Sequence, residues 1–219
     1  PEQAQQIQPV KGPNISRLPD PEPLLDQLEA PVLLKVEDNI STDEISPAGA
    51  RALPYRSNIP KLAEFSFTQV DESYPRRADE ARSTGHIIVG GRNYGQGSSR
   101  EHAAIALRYL GLRVVIAKSF ARIHWQNLAN FGVLALEFVD AGDYDLVEQG
   151  DTLKLVDLHQ AVGGSDPLTV ENLSQKTSFE VRHRLSPRQA EYVLAGGLIP
   201  QVAQENTDGA AQAATEPRL

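Results

Sequence analysis

A chain of 219 residues is long enough for one full core or two small ones, and 40% hydrophobic with 23% charged residues is ordinary globular usage, which excludes wholesale disorder and a fibrous protein. The formal net charge is −8 with scattered basic residues, which argues against a broad nucleic-acid footprint and leaves a small anion held by a few local arginines as the charged ligand to expect. Cysteine is absent, so these residues hold no disulfide and no cysteine-ligated cluster, and no apolar run approaches the ~18 residues of a membrane span, which predicts a cytoplasmic or organelle-matrix location.

In chain order, residues 1–30 carry Pro9, Pro13, Pro19, Pro21 and Pro23 with little periodicity and read as a linker. One domain is expected over 31–203. Residues 32–36 read as a short apolar strand, and 39–49 (NISTDEISPAG), rich in turn formers, as a loop at its end. Residues 86–90 (HIIVG) have a buried-strand pattern, followed by Gly91, Gly95 and Gly97; Ser98 then opens a predicted helix that runs to Leu110 and stops at Gly111. Strand 113–117, helix 120–131 ended by Gly132 and strand 133–138 follow, an order that implies parallel strands joined by helical crossovers. Residues 151–157 and 178–184 alternate as half-exposed antiparallel strands. Ser186 and Pro187 supply an N-cap and first helical position for a helix over 187–195, closed by Gly196 and Gly197. The remainder, 204–219, is Ala, Gln and polar residues, and reads as a disordered tail. The fold class expected is α/β with a mixed, partly parallel sheet and flanking helices.

The most informative stretch is 93–104 (NYGQGSSREHAA), between the end of a strand and the start of a helix. Open α/β sheets bind ligands there, because free backbone N–H groups favour an anion and glycines let it approach the main chain. The loop lacks the Gly-Lys-Ser/Thr of a P-loop, the spacing of a dinucleotide fingerprint and the G-x-S-x-G of a nucleophile elbow. Two readings of Ser98 stay open. Ser98 and Glu101 fit S-x-x-E, a capping box that merely satisfies helix-end donors. Alternatively a helix N-terminus and Arg100 stabilise a Ser98 alkoxide, which permits proton abstraction beside a carboxylate. His102, one turn on, is a partner for that chemistry or a structural histidine.

These residues resemble the signature of the small swivelling domain of the aconitase and isopropylmalate isomerase superfamily. Residues 41–49 (STDEISPAG), 117–124 (AKSFARIH) and 127–132 (NLANFG) agree with it in order, so the match spans about 32–138. The resemblance implies a β/β/α swivelling domain of an aconitate hydratase, isomerising citrate and isocitrate through cis-aconitate. It also implies a [4Fe-4S] cluster on a cluster-bearing partner region, in the same polypeptide or a separate large subunit. By motif position Ser98 resembles the catalytic base, and Ser99 and Arg100 resemble residues that hold substrate oxygens. The family also has an arginine between the motifs that clamps a carboxylate. Arg77 is preferred for it over Arg76, with Arg56 the next candidate. Asp43 and Glu44 sit where the family has an aspartate and commonly a histidine, so Glu44 departs from the pattern. The alternatives are another hydroxyacid substrate (2-methylcitrate, homocitrate or isopropylmalate) and, in a different class, a non-enzymatic RNA- or anion-binding module.

Overall fold

The computed structural model describes the backbone of residues 10–215 and the side chains of residues 10–207. The first nine residues of the predicted linker and the last four of the predicted tail lie outside the described residues. Seven strands, β1 (Leu28–Val36), β2 (His86–Gly90), β3 (Leu112–Ala117), β4 (Leu134–Phe138), β5 (Thr152–Leu155), β6 (Leu168–Asn172) and β7 (Thr177–Arg182), form one sheet. Its order is β1-β2-β3-β4-β7-β6-β5, and β5 pairs back onto β1, so the sheet closes into a barrel. β1 to β4 are parallel and the remaining pairings antiparallel. The mixed sheet agrees with the expectation; closure and β6 were not foreseen.

The helices are α1 (Thr42–Ile45), α2 (Ile59–Ala63), α3 (Tyr74–Glu80), α4 (His102–Tyr109), α5 (Arg122–Asn130), α6 (Leu158–Gly163), α7 (Pro187–Ala195) and α8 (Leu198–Thr215). α4 and α5 are the crossovers that return the chain from β2 to β3 and from β3 to β4, which is why these short, wholly buried strands are parallel. Strand alternation then divides the core in two. Val32, Ile87, Val89, Val114, Ile116, Val170 and Val181 turn into the barrel, while Leu34, Ile88, Val115 and Ala135 pack beneath α3, α4 and α5 with Ala78, Leu107 and Leu128. In β1 the register shifts between Val32 and Leu34; such a bulge moves residues of the same parity from the barrel interior to the helix side.

The boundaries differ from expectation in three places. β1 starts at Leu28 rather than at 32, because Leu28, Glu29, Ala30 and Pro31 pair with β5 and Leu28 is buried. α8 carries helix from Leu198 to Thr215, through most of the segment read as a tail. Third, α4 starts at His102, with Glu101 as its N-cap and no side-chain cap bond, so the helix expected from Ser98 begins four residues later. No helix among the described residues is long and apolar enough to cross a membrane.

Candidate functional site

The first part of the 91–100 loop is positioned by the segments that follow β1 and β3. A Cβ on Gly91 would lie 2.3 Å from Asp38 Oδ1, and that carboxylate accepts from Arg92 N at 2.7 Å. Gly95 N and Gln96 N donate to Ile40 O at 2.9 and 3.1 Å, while Tyr94 N donates to Ser119 O at 2.9 Å and Asn93 N to Ser119 Oγ at 2.9 Å. The loop is thus stitched to the segments that leave the two neighbouring strands. Gly95 (φ 79°) lies directly on the His124 ring, with 2.1 Å from an imagined Cβ to Cδ2, so only glycine fits there. Burial depresses the His124 imidazole to about 4 and pushes the Tyr94 phenol up, so both are neutral supports beneath the loop.

Above this support, Gly97, Ser98 and Ser99 are exposed. Ser98 does not cap α4, so its hydroxyl is free of the capping-box role. The capping box forms instead at α1, where Ser41 Oγ accepts from Glu44 N at 3.2 Å and Glu44 Oε2 accepts from Ser41 N at 2.8 Å. This explains the departure at Glu44, whose carboxylate fixes the turn. α1 in turn holds the loop: Thr42 N donates to Gln96 O at 2.8 Å and Thr42 Oγ1 to Ser98 O at 3.1 Å. Arg100, mostly buried, donates from Nη1 to Asp43 Oδ1 at 2.6 Å and to Ser46 O at 3.3 Å. The Asp43 partner was missed in the sequence, although its neighbours Ser41 and Glu44 had the required S-x-x-E spacing.

The three arginines considered for the clamp occupy unlike places. Arg77 in α3 pairs with Asp71 and donates to Ser73 Oγ at 3.1 Å and to Leu33 O, in mid-β1, at 2.7 Å. None of these partners belongs to the 96–100 loop. Arg76 makes a surface ion pair with Glu80 at 2.7 Å. Arg56 is exposed, and its carbonyl accepts from His102 Nε2 at 2.9 Å, which ties its turn to the start of α4, two residues after Arg100. His102 therefore carries its proton on Nε2 and acts as a tether. The structure brings Ser98, Ser99, Arg100 and the Arg56 turn together; it does not link Arg77 to them. Among the described residues no group of His, Cys, Asp and Glu is arranged to hold a metal, and with zero cysteines the chain has no thiolate for a cluster.

A parallel-stranded layer capped by a glycine-serine loop, closed by antiparallel strands into a barrel, defines a swivelling-type α/β domain with that loop exposed on one end. The family model for the aconitase C-terminal domain matches residues 55–141. The 3-isopropylmalate dehydratase small subunit of Aquifex aeolicus is 39% identical over 166 residues, covering 75% of this chain and 88% of that subunit. A mitochondrial aconitate hydratase of Aspergillus fumigatus is 32% identical over 198 residues, 80% of this chain and 25% of that protein. The crystal structure of a 3-isopropylmalate dehydratase (LeuD) from Methanocaldococcus jannaschii superposes with a TM-score of 0.70 at 27% identity, covering 85% of this chain and 99% of that one. This chain belongs to the aconitase C-terminal domain family. It spans about a quarter of the length of the aconitate hydratases it matches.

Proposed function

We propose that this chain is the substrate-binding and proton-transferring part of a hydro-lyase acting on a 2-hydroxy di- or tricarboxylate, with citrate and isocitrate the preferred pair. The observation that carries the reading is that two separated segments, 41–46 and the turn at 56, are tied to 96–102, the stretch that carries the exposed Ser98 and Ser99, through the Thr42–Ser98, Asp43–Arg100 and Arg56–His102 bonds. Ser98 Oγ, as its alkoxide, takes the proton from the carbon next to a substrate carboxylate. The C–H electron pair forms the C=C bond as the C–OH bond on the adjoining carbon breaks, the departing hydroxide takes a proton from solvent and leaves as water, and hydration reverses each change. Ser99 and Arg100 hold substrate oxygens while the Asp43 carboxylate keeps the Arg100 guanidinium in place. Arg56, an exposed residue whose carbonyl is tied to His102 at the start of α4, supplies the second carboxylate clamp; Arg77, the arginine preferred from the resemblance, braces α3 against β1.

With no cysteine in this chain, the [4Fe-4S] cluster implied by the resemblance would be held by a separate region. Relatives named for isopropylmalate dehydration support that substrate as the second reading. The test is a turnover assay of the enzyme assembled with its cluster-bearing region, on citrate, isocitrate, homocitrate, 2-methylcitrate and 3-isopropylmalate in parallel. Turnover fastest on citrate and isocitrate is expected. Turnover confined to isopropylmalate selects the second reading, and turnover on none of them contradicts both.

A further inference from the structure

Far from the Ser98 loop, a cleft of about 680 Å³ opens between residues 18–22, the second half of α4, the start of β3 and the first turn of α8. That volume is in the range of small-molecule sites, roughly 300–1,000 Å³. Its wall includes two buried cations, Arg108 of α4 and Arg113 of β3, each only 8% exposed. Glu22 serves both, through different groups. Glu22, with a side chain 75% exposed, accepts from Arg113 Nη2 at 2.5 Å, while Arg108 Nη2 reaches only the Glu22 carbonyl, at 2.6 Å. Arg108 Nε, Arg113 Nε and Arg113 Nη1 have no partner among the described residues. Asp20 and Asp79, also on the cleft, face other arginines, Arg17 at 3.0 Å and Arg82 at 3.9 Å.

Buried charge is tolerated when it is paired and its donors are satisfied. Here the one carboxylate beside two guanidiniums bonds Arg113 alone and faces solvent, and burial together with the Arg113 charge depresses Arg108 to about 10. Such an excess of positive charge asks for an anion. Most of the remaining wall is apolar, with Ile105, Phe131 and Pro200 lining it and Ile199, 61% exposed, projecting from α8.

We propose that this cleft binds a small amphipathic anion, its carboxylate or phosphate head on Arg108 and Arg113 and its apolar body along Ile105, Phe131 and Ile199. The site is separate from the proposed catalytic one. It lies against Gly111 and the start of β3, whereas the 91–100 loop follows the opposite end of the parallel β2. A head group entering it displaces the Glu22 carboxylate from Arg113 and so competes with the contact that ties the N-terminal segment to the barrel.

The test is an NMR titration of the ¹⁵N-labelled full chain with octanoate and with octyl phosphate, and with 1-octanol and inorganic phosphate as the separate halves. Saturable shifts of the Arg108 and Arg113 Nε–H signals are expected, with one of the octyl anions binding at least about tenfold more tightly than either half. The tighter of the two identifies the head group. Arg108→Gln and Ile199→Asp should each weaken that binding about tenfold or more, and Ser98→Ala by less than about twofold. Should Arg108→Gln fail to fold, Ile199→Asp, on an exposed residue, decides by itself. Non-saturable shifts, 1-octanol binding as tightly as octanoate, or unchanged affinity in Ile199→Asp would overturn the proposal.

Discussion

Arg56 and Arg77 carry the same charge and lie in short helical or turn segments of the stretch between the two loops, yet their surroundings give them different work. The Arg77 fork is spent on Asp71, Ser73 and the Leu33 carbonyl. Replacing it by lysine keeps the charge and loses the geometry, so Arg77→Lys should lower unfolding stability by about 1–3 kcal/mol in denaturant titration and leave substrate affinity within about twofold. Arg56→Lys should do the reverse, weakening citrate binding by about 2 kcal/mol with stability changed by less than about 0.5. If Arg77→Lys weakened citrate as much without loss of stability, the clamp would return to α3. Linear spacing could not separate these arginines, because which of them turns toward β1 depends on α3 packing beneath the sheet, a contact made by Leu33, 44 residues away.

Two buried histidines make a second statement at this scale. Burial lowers His86 to about 3 and His124 to about 4, both below the unfolded value of about 6.5. Above about pH 6.5 both states are neutral and pH has no effect through them. As pH falls through the window from about 6.5 to about 4 the unfolded chain binds protons that the folded chain refuses, so stability falls, by up to about 1.4 kcal/mol per pH unit for each histidine. His124 has no hydrogen-bond partner for either ring nitrogen, so His124→Leu should reduce this slope over pH 6 to 5. Denaturant midpoints at the two pH values measure it; an unaltered slope would remove His124 from the account.

Elements divide by how local their causes are. The helix Pro187–Ala195 was legible to the residue, since Ser186, Pro187, Gln189 and the left-handed Gly196 all act within one turn of an end. The strand His86–Gly90 was equally plain as an apolar run with a glycine stop. The start of α4 was not. Ser98-x-x-Glu101 has the capping spacing, but Thr42 and Arg100 pull the loop toward α1 and the helix begins at His102. The same spacing at Ser41 and Glu44 is the one that caps. Thermal or denaturant unfolding should therefore show Ser41→Ala and Ser186→Ala each losing about 1 kcal/mol, and Ser98→Ala changing by less than about 0.5. A loss of about 1 kcal/mol in Ser98→Ala would restore the capping role.

On the scale of the whole molecule, the βαβ alternation made the parallel half readable, because crossover handedness and buried runs leave few arrangements. Closure of the barrel was not readable: it rests on β1 pairing with β5, Leu28 against Leu155, and on β6, whose half-exposed residues carry a weak pattern. Of the site, the loop, Ser98 to Arg100 and the 41–46 segment were legible as motifs, while Asp43–Arg100 and Arg56–His102 needed the fold to bring them together. The barrel presents these groups on the end of β1 to β3, and Ser98 and Ser99 stay exposed there. The most direct check is turnover by the assembled enzyme carrying Ser98→Ala. The account predicts kcat reduced about 100- to 10,000-fold with a much smaller change in KM and unaltered folding; a loss of kcat below about tenfold would contradict it.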